Sequence, residues 1–159
     1  MANITEIACF FRLALRVGLL DTAAVDEWID SVIAAEPIVT FPFTELAGVS
    51  EYPRERVDEL LGQVKGDAEF LVAGRMVLAL LRRRLRAGVF TPETAIRLAN
   101  EIARAGTLTK DEVYRTDALD DSLSLAMSDT YGDIATVRRE IEDFLDEYEK
   151  FDQYIPSVV

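Results

Sequence analysis

Four arginines stand at a spacing that could do chemistry. Arg12 and Arg16 lie four residues apart, as do Arg82 and Arg86, so on a helix each pair shares one face. A guanidinium is planar and always charged, and its fork suits bidentate contact with carboxylate or phosphate. Either pair could clamp an anionic ligand. The simpler reading is that these arginines are solvated, or answered by acids on neighbouring helices. The run Arg82-Arg83-Arg84-Leu85-Arg86 is the densest cationic stretch. At the end of a helix it complements the negative pole of the macrodipole. Successive residues fan around a helix, and no aromatic side chains interleave them, as a platform for single-stranded nucleic acid would need.

The acids form the second constellation. Glu140, Glu142, Asp143, Asp146, Glu147 and Glu149 give the last amphipathic segment a strongly acidic outer face. Such a run is ordinarily the solvated side of a helix. Its functional reading is a decoy surface on which Glu140, Asp143, Asp146 and Glu147 present carboxylates to a cationic partner. Asp117, Asp120, Asp121, Asp129 and Asp133 raise the question of a metal. The alternating oxygen ligands and glycine turn of a calcium loop are missing, so helix capping and solvation are expected there and no metal site is assigned. Cys9 could gain thiolate character from Arg12, three residues on, but no histidine is available as its base.

Composition narrows the chemistry further. The 159 residues include no histidine and one cysteine. That removes Ser-His-Asp and Cys-His nucleophiles, most zinc sites and intramolecular disulfides. No Walker, dinucleotide or kinase motif occurs. The expectation is a protein that is not an enzyme and needs no cofactor. Its formal charge is −12, from 29 acids against 17 bases. Nucleic-acid binding is therefore not expected, because phosphate recognition needs a cationic face. Arginine supplies fourteen of the bases, which with abundant alanine points to a GC-rich bacterial genome. The charge is also uneven: residues 75–104 carry +5 and residues 117–152 carry −9. Pairing between these regions is the simplest use of that asymmetry.

The longest apolar run, Phe70–Leu81, is broken by Gly74 and Arg75 and falls short of the roughly 20 residues of a membrane span. No signal peptide is read at the N-terminus, and with a lone cysteine the chain is expected in the cytoplasm.

The elements that must position these residues read as all-α, about seven or eight helices in one domain over residues 1–159. Ile4–Val17 is closed by Gly18. Asp21 caps Thr22–Ala35, which Pro37 stops, and Ile38–Phe43 reads as an extended connection. A short helix near Thr44–Gly48 follows, and Pro53 opens, at its first position, a helix to about Lys65. Asp67–Ala87 is apolar around most of its circumference and is expected to be buried. Thr91-Pro92-Glu93 opens a helix to about Ala105, Thr109 with Glu112 spells a capping box, and helices follow near Leu119–Met127 and over Asp133–Phe151.

Two halves, approximately 4–66 and 68–151, share this order. At an offset of 70, Arg16-Val17-Gly18 lies over Arg86-Ala87-Gly88, and the apolar positions match on both sides. The pattern is a pseudo-repeat of helix–Gly–helix–short helix–helix, with Arg12 over Arg82.

The function expected from these residues is a non-catalytic, acidic protein-interaction module. In its most concrete form it is an inhibitor or immunity-type protein that binds a basic protein partner. One alternative is a structural protein acting through homodimerisation, by apolar surface at Ile38–Phe43 or Tyr154–Val159. The other is a binder of anionic small ligands, or an enzyme, using the recurring arginines.

Overall fold

The computed structural model describes residues 2–35 and 41–159. Among them every regular element is helical, in eight α-helices and two 3-10 turns. They group into two compact units, Met1–Glu69 with Tyr154–Val159, and Phe70–Gln153.

In the first unit, α1 (Ile4–Arg16) opens on a capping box that the sequence reading missed. Asn3 Oδ1 accepts the Thr5 and Glu6 amides at 3.0 and 2.9 Å, and Glu6 Oε2 accepts the Asn3 amide at 2.8 Å. These bonds satisfy donors that the first helical turn leaves without partners. The inner face of α1 buries Phe10, Phe11 and Leu15 completely. Phe11 stacks on Trp28 of α2 (Thr22–Ala35), with ring centroids 4.9 Å apart. Trp28 in turn meets the edge of Phe43, at the start of α3 (Phe43–Leu46). Asp26 of α2 holds the 3-10 turn Val49–Glu51 by accepting the Val49 amide and the Ser50 hydroxyl. α4 (Arg54–Leu61) then turns Val57, Leu60 and Leu61 inward.

Two expectations are corrected here. Pro53 is the N-cap of α4, not its first residue: its ψ of 149° is extended while its carbonyl already accepts the Val57 amide. The helix stops at Leu61, where Gly62 caps it, four residues short of Lys65. The stop at Pro37 and residues 38–40 of the expected connection lie outside the described residues, while Phe41 and Pro42 form a turn and Phe43 already begins α3 rather than ending an extended segment.

In the second unit, α5 (Phe70–Arg86) buries six consecutive residues, Met76 to Leu81, so it is enclosed around its whole circumference in that stretch. α6 (Pro92–Arg104) begins as expected, with Thr91 as cap and Pro92 at the first position. α7 (Lys110–Met127) starts at the Thr109–Glu112 capping box and runs on without a break. The helix expected near Leu119 is therefore the second half of a longer one, since nothing between Lys110 and Leu119 interrupts helical geometry. A turn through Asp129 and Gly132, both at positive φ, leads to α8 (Ile134–Asp146), capped by Asp133. α8 is shorter than expected, and residues Glu149–Tyr154 form a 3-10 turn instead.

Corresponding segments of the two units close alike. α1 and α5 both end on a glycine at positive φ, Gly18 at 74° and Gly88 at 73°. Just past it, the Leu19 amide donates to the Ala14 carbonyl and the Val89 amide to that of Arg84, both at 2.9 Å. α2 and α6 begin at Thr22 and Pro92, 70 residues apart.

Candidate partner-binding groove

Each unit holds one of the arginine pairs, and in each the pair grips a single aspartate. In the first unit, Arg12 and Arg16 both fork onto Asp58 of α4, with Arg16 Nε and Nη2 at 2.8 Å. Burial opposes the charge on Asp58, but hydrogen bonds from Arg16 and Arg12 outweigh it and hold the carboxyl below its usual range. In the second unit, Arg82 Nε donates to Asp146 Oδ1 at 2.7 Å, and Arg86 grips both oxygens of the same carboxylate. The hydrogen bond from Arg86 lowers the Asp146 pKa more than burial raises it.

The clamp in the second unit extends further. Arg82 also reaches Glu149 at 3.0 Å and Asp152 at 3.5 Å, Arg86 reaches Glu142 at 3.5 Å, and Arg83 binds the Asp152 carboxylate and carbonyl. The side chain of Arg82 is only 16% exposed. Three of the four arginines at the end of α5, Arg82, Arg83 and Arg86, are thus met by acids of α8 and the 3-10 turn beyond it. Arg12, Arg16, Arg82 and Arg86 all carry in-chain carboxylates where an anionic ligand would have to bind.

Of the four acids read as a partner-binding face, Asp146 is turned to this clamp. The other three stay together on the side of α8 that faces α7. Glu140, Asp143 and Glu147, spaced three and four apart, share one stripe of the helix. They rim a groove of about 410 Å³ between α7 and α8. Its floor is Ala118 and Leu119 of α7 with the buried ring of Phe144, and Tyr114 stands at its edge, 72% exposed.

Arg115 lines the same groove, and its charge is spent. It donates to Glu147 through Nη1 at 2.8 Å and lies over the Phe144 ring, 4.9 Å from its centroid. The hydrogen bond from Arg115 holds the Glu147 pKa low. Glu140 and Asp143 are exposed and make neither an ion pair nor a hydrogen bond among the described residues. An apolar floor beside two exposed carboxylates that make no direct ion pair can accept an apolar anchor flanked by cations.

Beside the groove, at the start of α7, lies a more polar concavity of about 280 Å³. Its charges are internally matched. Glu112, almost fully buried, accepts Arg75 Nε at 2.8 Å, the Thr109 amide and hydroxyl, and the Tyr148 hydroxyl at 3.2 Å. Burial works against the Glu112 charge, yet Arg75 and Thr109 together keep its pKa below the usual value. Burial also raises the Tyr148 phenol, with Glu112 adding to the shift.

The remaining candidates disperse. Among the described residues no three His, Cys, Asp or Glu side chains converge on a point that could hold a metal ion. Asp133 caps α8 by accepting from Thr136. Burial raises the Cys9 thiol more than Arg12 lowers it, so the thiolate gains nothing from its neighbour. No helix among the described residues is long and apolar enough to cross a membrane.

Sequence reasoning missed Tyr114, Ala118, Leu119 and Phe144 as groove residues, and Asp58 as the aspartate between Arg12 and Arg16. Signals for both were present. α7 carries apolar residues on two opposite sides, Leu123 and Ala126 inward and Tyr114, Ala118 and Leu125 outward, which a helix with one buried face does not need. Val57-Asp58-Glu59 also echoes Leu145-Asp146-Glu147, each triplet following an arginine pair on an earlier helix. Comparison with protein-family models, with curated proteins and with solved structures finds no match.

Proposed function

We propose that this chain is a non-catalytic protein-interaction module of the cytoplasm that engages a basic protein partner through the α7–α8 groove. Its most concrete form is an inhibitor or immunity-type protein that covers a cationic surface. The observation that carries this reading is the pair Glu140 and Asp143, exposed and in no direct ion pair or hydrogen bond among the described residues, beside an apolar floor, when Glu142 and Asp146 of the same helix are paired. Arg82, Arg86 and Arg115 are each bound to in-chain carboxylates, and Glu140 and Asp143 stay exposed at the rim.

The same charge argues against the groove as a homodimer interface. A second copy would bring its own carboxylates, and like charges set face to face are repulsive. The anionic-ligand reading is weakened by the carboxylates already seated on all four arginines.

The test compares capture from native lysate by three forms of the chain. These are the wild type, a Glu140→Gln/Asp143→Asn variant, and a Glu27→Gln/Asp30→Asn variant with the same change in net charge on exposed positions of α2. The expected result is a basic protein retained near stoichiometrically by the wild type and the α2 variant. It should be lost from the groove variant and released as salt rises. Rim charges act mainly on encounter, so the association rate should fall about tenfold while dissociation changes little. Retention of the same proteins by all three forms at every salt concentration would overturn the proposal.

A further inference from the structure

We infer that the groove receives the apolar face of a basic amphipathic helix, an inference that rests on the reading of a basic partner and specifies its docking element. The walls of the groove are two α-helices, whose backbone N–H and C=O groups are bonded along their own axes. An extended segment laid there would bring unpaired backbone polar groups onto Ala118, Leu119 and Phe144 and find no partners for them. A helix arrives with its backbone already satisfied and offers only side chains, as the helix-in-groove mode requires.

The spacing fits as well. Glu140 and Asp143, the two carboxylates in no direct ion pair, rise over three residues, about 4.5 Å at 1.5 Å per residue. Cations at i and i+3 of a helix aligned with α8 repeat that interval. On the other wall, Ala118 leaves a notch beside the exposed ring of Tyr114, where one bulky aliphatic or aromatic anchor can seat. The chain does not supply this helix itself. In its densest cationic stretch, Arg82, Arg83 and Arg86 are bound to Glu142, Asp146, Glu149 and Asp152.

Two 18-residue peptides of identical leucine and lysine composition test this against the full chain. One places its leucines at i, i+3, i+4 and i+7, giving a single apolar face. The other distributes them evenly around the helix. The expected result is that the amphipathic peptide binds at least tenfold more tightly, gains helical circular dichroism on binding, and perturbs resonances of α7 and α8. Tyr114→Ala, a change at an exposed position, should erase most of the difference between the peptides, while Glu140→Gln/Asp143→Asn should weaken both. Equal binding of the two peptides, lost in the acid variant, would overturn the helix inference and leave the basic-partner reading standing. Binding of neither peptide at low salt would overturn both.

Discussion

Asp146 and Asp58 show how little separates a binding residue from a structural one. Both are aspartates on acidic helices, and both are held by two arginines one turn apart. For each, the folded carboxyl sits below its ordinary value of 3.8, because guanidinium hydrogen bonds favour the charged form. A lowered folded pKa stabilises fully above the unfolded value and is lost as pH falls through the folded one. Stability should therefore decline as pH drops below about 4. Asp146→Asn should lower the unfolding free energy from urea titration at pH 7 by roughly 1 kcal/mol once solvent screening is allowed for, and should flatten the acid slope. Glu140→Gln, at an unpaired position, should change stability by no more than about 0.5 kcal/mol. Equal effects from the two substitutions in a denaturation series would remove the distinction between clamp and rim.

Among the elements, those marked by local chemistry were legible. Asp21, Thr91 with Pro92, Thr109 with Glu112, and the glycines at 18 and 88 each mark a helix end by a mechanism confined to a few residues, and the helices begin or end there. The limits of α4 and α8 were read too far along the chain: α4 ends at Gly62, the first of two glycines that could stop it, and past Asp146 the residues Glu147 to Lys150 carry no glycine or proline to mark an end. The groove was half legible. The acids of α8 could be assigned to its outer surface from periodicity, but the exposure of Tyr114 depends on which side of α7 turns inward. Asp58 lies 42 and 46 residues from the arginines it joins, beyond any local pattern. Gly74 is a further case in which the fold overrides propensity. Inside a helix, alanine is ordinarily better than glycine by about 1 kcal/mol. Here a Cβ would stand 2.3 Å from the Thr107 carbonyl oxygen and 2.7 Å from its hydroxyl, in the close approach to the chain just before α7. Gly74→Ala should therefore lower the melting temperature, since overpacking against backbone costs about 1–3 kcal/mol. A higher melting temperature would mean that the residues around Thr107 yield at little cost.

At the scale of the whole chain, two electrostatic contributions respond differently to salt. The clamps are contacts of about 3 Å, partly shielded by protein, and mobile ions screen them weakly. The repulsion within a net charge of −12 acts over longer distances, and a Debye length of about 8 Å at physiological ionic strength removes most of it. Raising sodium chloride from about 10 to 150 mM should therefore raise the melting temperature, because the screened repulsion outweighs the weakened pairs. Partner association should move the opposite way, since steering toward Glu140 and Asp143 is long-ranged and is lost under the same screening. A single salt series, read by calorimetry for the chain alone and by association rate for the complex, separates the two. If both fell together, the ion pairs would dominate stability and the rim would owe its selectivity to the fold loosening rather than to charge.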